Sequence, residues 1–363
     1  MTRKSTLTTM LGDPSAPFGP PEIVDVEPIH TCNFRCVQCH VSAEVLSHQA
    51  IDVDAFRRSI ESLDLRGKWA CVGATHEPCM HPKFDEIVQI LTEAGMHIDL
   101  TTNGSLFTDK LIDKIKDGSF AKVTISFDGA MPETYEKVRR NADWSRTLSR
   151  VKNFKAAVGN DNTYWAVNYT VMRSTVGEIT AAARLWEGMG FDMVGYISMV
   201  LRNGLQEAVA EAMDDALVDR MKVELAEAAH IVRSEGYRIS VASAAYDDGR
   251  PVLSDNPEAF DFTNCRPLFN NGYHPDVPVA CRAPYKSLRI GHDNGVRLCF
   301  DKSHVGDIRN ETLADIWYGE AARRWREAIK SSAAICHDCE YYKFCIKAGQ
   351  VDSTDPSNRV SNK

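Results

Sequence analysis

The sequence predicts an α/β protein: a partial (β/α)6 TIM-type barrel of parallel strands followed by a small, cysteine-bearing α+β module. Three observations carry this. From about residue 24, short β-rich runs alternate with amphipathic stretches, the signature of parallel β/α units. At 363 residues the chain can hold one barrel-sized domain of about 200–250 residues plus a smaller unit. Its eleven cysteines fall in groups, 32/36/39, 71/79, 265/281/299 and 336/339/345, so a second cysteine-rich segment stands far from the first.

Taken in order, strands are expected at 24–30, 69–73, 97–102, 121–127, 164–172 and 192–199. Amphipathic helices are expected between them at about 53–63, 83–94, 108–117, 146–157 and 177–188. Gly95 and Gly190 stand where a glycine ends a helix. The stretch 205–234, with apolar Ala208, Met213, Leu217, Met221, Leu225 and Ala228, predicts one long helix packed on the barrel. The division that follows is an N-terminal extension 1–23, a barrel 24–242, a linker or lid 243–280, a cysteine module 281–349 and a polar tail 350–363.

A net charge of −8 argues against a surface that tracks nucleic-acid phosphates. No run reaches the roughly 20 apolar residues that span a bilayer, so no membrane partner and a cytoplasmic location are expected. An odd number of cysteines in tight groups fits metal ligation in a reducing compartment better than a disulfide framework.

The most specific motif is Cys32, Cys36 and Cys39 in the run HTCNFRCVQCH, directly after the first strand. In parallel barrels that is the end where chemistry sits. Three thiolates leave one iron of a cubane [4Fe-4S] cluster open, whereas structural metal sites are normally closed by four protein ligands. A zinc knuckle or three buried thiols is the alternative, but zinc pairs usually sit two to four residues apart and recur downstream.

This run resembles that of the radical S-adenosylmethionine (SAM) enzymes, in which the open iron chelates SAM. The resemblance implies reductive SAM cleavage to a 5′-deoxyadenosyl radical that abstracts hydrogen from unactivated carbon. It also implies an electron donor such as flavodoxin or ferredoxin. Val72-Gly73-Ala74-Thr75-His76-Glu77-Pro78 resembles the family segment that binds the SAM amino group, which gives that role to Glu77. His76 departs from the family, which usually has glycine there. Gln38 departs too, standing where an aromatic residue commonly packs near the adenine, while Phe34 is placed to cover the cluster. Strand ends at Asn103-Gly104 and at Ser126-Phe127-Asp128 resemble segments that meet the methionyl carboxylate and ribose. The resemblance makes Ser126, Asn103 and Asp128 SAM contacts. Ser126 and Asp128, two apart on a strand, are expected to point the same way. Asn168 and Thr170 share the inward parity of the fifth strand and are candidates for SAM or substrate.

The segment from Cys281 through Cys299 to Cys336, Cys339 and Cys345 resembles the SPASM auxiliary-cluster module, or its half-sized relative Twitch. A hairpin with an Asn294-Gly295 turn would place two cysteines, and a helix would return the rest. The full SPASM pattern has further cysteines where this chain has Gly349 and none beyond. One auxiliary [4Fe-4S] cluster is therefore expected, held by Cys281, Cys299 and two of Cys336, Cys339 and Cys345. A second cluster, involving Cys265 or non-cysteine ligands, stays open, as does zinc. Cys71 reads as a small buried residue. Cys79, beside Glu77, is a candidate to return a hydrogen atom to a substrate radical.

About 23 residues precede the first strand, fewer than the fused peptide-recognition domain of radical peptide maturases needs. The expectation is a small natural-product or carbohydrate-like substrate, undergoing net oxidation or epimerisation. A peptide maturase is the competing enzyme reading, and a non-catalytic metal scaffold the reading from another class.

Overall fold

Alternation along each strand, one residue for the helices and the next for the interior, builds this sheet. The computed structural model describes residues 19–73, 75–159, 162–199, 205–244, 246–247, 250–251, 283–299 and 303–331. Strands β1 (Ile23–Val26), β2 (Trp69–Val72), β3 (His97–Thr102), β4 (Phe120–Ser126), β5 (Tyr164–Val171) and β6 (Met193–Ser198) lie side by side in chain order, all parallel. Helices α1 (Val53–Glu61), α2 (Phe84–Glu93), α3 (Asp109–Ile115), α4 (Pro132–Val138), α5 (Trp144–Val158) and α6 (Ile179–Gly188) occupy the connections. Asp52, Thr108 and Asp143 cap α1, α3 and α5 through their side chains. Gly95 and Gly190 take φ of +68° and +70° just past α2 and α6, as a left-handed helix terminator requires.

Register then separates two chemistries. Val24, Val72, Leu100, Val123, Val167 and Tyr196 join one hydrophobic core with Phe56, Ile87, Phe154 and Trp186 of the helices. The opposite parity carries a row of Asp25, Cys71, Asp99 and Lys122. Lys122 Nζ stands 3.6 Å from Asp99 Oδ2. Further along the same parity come Thr101, Ser126 and Thr170, at the strand ends.

The parallel run exceeds the six expected strands. β7 (Ser240–Ala244) pairs with β6 and β8 (Ser287–Ile290) pairs with β1, both parallel. Antiparallel β9 (Gly295–Arg297) and β10 (His304–Asp307) complete a ten-stranded sheet of order β10-β9-β8-β1-β2-β3-β4-β5-β6-β7. Among the described strands, β7 and β10 are the two edges of this sheet. The hairpin expected around Asn294-Gly295 is present as β8–β9, and its first strand also extends the barrel sheet. Asn294 secures the junction: its Oδ1 accepts the Asp52 N–H at the start of α1 (2.7 Å).

The single helix expected over 205–234 is two, α7 (Gln206–Ala210) and α8 (Asp215–Ser234). Glu211 turns inward to accept the Ser174 N–H (2.9 Å), and Asp214 accepts the Leu217 N–H (2.9 Å) as the N-cap of α8. These polar contacts end one helix and begin the next. Helix α9 (Ala283–Lys286) leads into β8, and α10 (Leu313–Tyr318) and α11 (Glu320–Ser331) follow β10. Arg326 of α11 lies over the Trp317 ring at 4.2 Å and donates to the Trp317 and Pro284 carbonyls (both 2.7 Å). Most of the expected linker and all of the 350–363 tail lie outside the described residues.

Candidate active site at the strand ends

The loop leaving β1 is tied down residue by residue. Arg35 and Cys36 pair antiparallel with Arg140 and Arg139. The Arg35 guanidinium donates to the Cys32 carbonyl (2.8 Å), and Ser42 Oγ donates to the Cys36 carbonyl (2.7 Å). This brings Cys32, Cys36 and Cys39 to the wall of a cavity of about 330 Å³, the size of a small-molecule pocket. Burial pushes the Cys32 thiol up to about 11 and the Cys36 thiol to about 12, with the Arg139 cation opposing both shifts. Cys39 is raised by burial as well.

Of the other expected residues, Phe34, Gln38, His76, Glu77, Asn103, Ser126 and Thr170 line the same cavity. Glu77 is 2% exposed and accepts three hydrogen bonds: Thr102 Oγ1 (2.6 Å) and the Cys79 N–H (3.2 Å) donate to Oε1, and the Asn103 N–H (2.8 Å) donates to Oε2. Burial raises its carboxyl pKa, and these donors hold the shift back. Asn103 binds Asn33 Oδ1 (2.9 Å) through its amide, which knots the β3 end to the cysteine loop.

Three expected residues stand elsewhere. Asp128 is fully buried and does not line the cavity: Arg139 Nη2 (2.7 Å), Gln38 Nε2 (2.5 Å) and the Thr170 N–H (2.5 Å) use its oxygens. β4 ends at Ser126, so the shared direction expected for Ser126 and Asp128 is lost where the strand stops. Asn168 sits beside Ser126 in the β5 register, below the lining residues. Cys79 lies behind Glu77, with Sγ 3.8 Å from Thr102 Oγ1, and is not part of the cavity wall. Cys299 is described and its N–H is held by Ser303 Oγ (2.7 Å). Cys281, Cys336, Cys339, Cys345 and Cys265 lie outside the described residues.

Sequence reasoning missed Arg139 and Thr102, which line the cavity together with Gly73 of the Val72–Pro78 segment. Arg139 is 6% exposed, and its signal was an arginine at a helix end facing an interior aspartate, invisible without the fold. Gly73 takes φ +83°, and a Cβ there would stand 2.5 Å from the Thr101 carbonyl oxygen.

Sequence profiles agree with this geometry. The radical SAM superfamily matches residues 26–185, and an iron–sulfur cluster-binding domain of the SPASM type matches residues 281–340. The chain carries a radical SAM domain followed by a SPASM-type iron–sulfur domain. The chain is 27% identical to the AdoMet-dependent heme synthase of Methanosarcina barkeri over 350 residues, 90% of each chain. It is 21% identical to the Fe-coproporphyrin III synthase of the same organism, over 86% of this chain and 79% of that one. Among solved structures it shares its fold with Streptococcus suis SuiB bound to S-adenosylmethionine (TM-score 0.62, 14% identity, 90% of this chain and 72% of that one). The fold is also that of anSMEcpe with bound AdoMet (TM-score 0.60, 15% identity, 90% and 85%).

The radical SAM domain implies SAM and a [4Fe-4S] cluster, and the SPASM region implies auxiliary iron–sulfur clusters. The residues fit the first pair. Three soft donors within eight residues converge on one cavity, facing a buried carboxyl suited to an ammonium group. Gln38 Oε1, in the cavity wall, is buried without a hydrogen-bond partner.

Proposed function

We propose that this protein binds a [4Fe-4S] cluster through Cys32, Cys36 and Cys39, binds SAM beside it, and oxidises a small-molecule substrate at an unactivated carbon. The buried Glu77 carboxyl in the same cavity as the three cysteines carries the reading. When bound, the cluster and SAM supply an electron and then a carbon-centred radical that abstracts hydrogen.

The chain's own residues bind and orient. Glu77 takes the SAM ammonium group, and its three donors keep the carboxylate pointed into the cavity. Ser126, Asn103 and Thr170 offer hydrogen bonds to the ribose and methionyl carboxylate. Phe34 and Met199 shield the reacting atoms from water, which a carbon radical needs because it attacks whatever is nearest. His76 and Gln38 give this pocket polar walls. Cys281 and Cys299, with two of Cys336, Cys339 and Cys345, would hold an auxiliary cluster, which would supply an electron acceptor for net oxidation. A flavodoxin or ferredoxin in the cytoplasm supplies the first electron.

Heme and Fe-coproporphyrin III, in the names of relatives that match most of the chain, are small molecules, and this favours a small-molecule substrate over a peptide. A peptide is the second reading, because the fold is shared with SuiB bound to the precursor peptide SuiA (TM-score 0.60). Anaerobic reconstitution followed by SAM and dithionite tests the core of the proposal. Formation of 5′-deoxyadenosine is expected, and its absence in iron-replete protein overturns it. Deuterium transfer from labelled tetrapyrroles or labelled peptides into 5′-deoxyadenosine separates the two substrate readings.

A further inference from the structure

Beside the cavity, on the side of the β8–β9 hairpin, four histidines and two glutamates crowd together. The structure assigns His30, Glu44 and His76 as a site for a divalent transition-metal ion of the zinc class, separate from the iron–sulfur ligands. Their ligand atoms all lie within 4.8 Å of one another. Glu44 Oε2 stands 3.4 Å from His30 Nε2 and 3.5 Å from His76 Nε2, so one carboxylate oxygen and two imidazole nitrogens face a common point. Two histidines and one carboxylate form a donor set suited to first-row divalent ions, with positions left open.

The surroundings carry the argument further. The His76 side chain is 6% exposed, and both its ring nitrogens are buried without a hydrogen-bond partner. An imidazole in that state is expensive unless something binds it. Its far nitrogen, Nδ1, faces the Glu27 carboxylate at 3.6 Å, the arrangement that orients metal-binding histidines. Glu27 is kept out of the ligand set by the Thr75 N–H (2.8 Å) and Arg289 Nη2 (3.3 Å), which use its other oxygen. The His30 ring is held in place at its far side, where Nδ1 accepts the Ser47 N–H (3.1 Å) and lies 2.9 Å from Ser47 Oγ. His292 from the hairpin stacks on His30 at 4.4 Å and covers the ligand from the C-terminal side. His40 Nε2, 3.6 Å from Glu44 Oε1, holds the remaining carboxylate oxygen. Since His76 also lines the cavity, the ion would sit against its wall.

The test uses reconstituted holoenzyme given Zn²⁺ in slight excess and then desalted, with zinc and iron counted together. Wild type is expected to retain about one zinc per chain with its iron unchanged. Glu44→Gln and His76→Gln should each weaken zinc binding at least about tenfold at the same iron content. No retained zinc, or equal retention in both variants, overturns the proposal. Should a variant lose iron as well, X-ray absorption at the zinc edge of the wild type decides: nitrogen and oxygen neighbours alone support the site, and sulfur neighbours overturn it. None of these outcomes depends on turnover, so the metal site can fail while the proposed reaction stands.

Discussion

Arg139 Nη2 meets Asp128 Oδ2 at 2.7 Å with both side chains buried, and the same Arg139 pairs through its backbone with Cys36. A buried ion pair therefore braces the strand that carries a predicted cluster ligand. Arg139→Ala leaves the Asp128 carboxylate buried without its cation. It is expected to destabilise the protein by about 3–5 kcal/mol. Denaturant unfolding of the apoprotein measures this, and iron content after reconstitution should fall with it.

Replacing Cys32, Cys36 and Cys39 together by alanine is expected to remove about four irons per chain and all SAM cleavage. Iron held by the C-terminal cysteines should remain. Iron analysis with Mössbauer spectroscopy checks both, and unchanged iron would contradict the assignment.

Glu77→Gln keeps the size of the side chain but removes the charge that would face the SAM ammonium. Loss of a charged hydrogen bond of about 1.5–3 kcal/mol lowers SAM affinity by at least about tenfold. The wild-type carboxyl is raised by burial, and SAM favours its ionised form. Affinity should therefore fall as pH drops through that raised value, and the variant should show a flatter profile. Calorimetric titration of SAM across pH reads both effects.

Gly73 occupies a left-handed conformation, and an added Cβ would also lie 2.6 Å from Pro78 Cγ. Gly73→Ala is expected to cost about 1–3 kcal/mol from strain alone and to shift the turn that presents Glu77. A lower melting temperature together with weaker SAM binding is the expected pair of results.

Asp293 accepts from Arg297 Nη2 (2.6 Å) and Nη1 (3.1 Å) at the β8–β9 turn, which holds its carboxyl well below the usual range. The stability this adds is present above the unfolded value near 3.9 and is lost as pH falls below it. The pair is half exposed, so Asp293→Asn should cost only about 0.5–1 kcal/mol at neutral pH. The difference between thermal melts of wild type and variant should begin to shrink as pH falls below about 4 and go on shrinking at lower pH.

Much of this arrangement was legible because its signals are local. The cysteine spacing, the Glu77-Pro78 turn, the six strands from β1 to β6 and the glycines after α2 and α6 are each set within a few residues. What escaped depends on partners distant in sequence. β8 was legible as half of a hairpin, yet its pairing with β1 joins residues more than 260 positions apart. Asp128 looked like a strand-end ligand because the end of β4 at Ser126 is decided by packing, not by the residues themselves.

By itself the sequence determined the chemistry available: three thiols in one loop, a carboxyl at the next strand end, and a distant second group of cysteines. Local propensity and side-chain type suffice for that. Only the tertiary structure decided which polar groups face the cavity and which are consumed in holding it. Glu77, Ser126 and Thr170 face inward, Asp128 is occupied by Arg139 and Gln38, and Cys79 is turned toward Thr102. The reason is physical: a buried polar group must find partners, and which partners are in reach is settled only when the strands are in register.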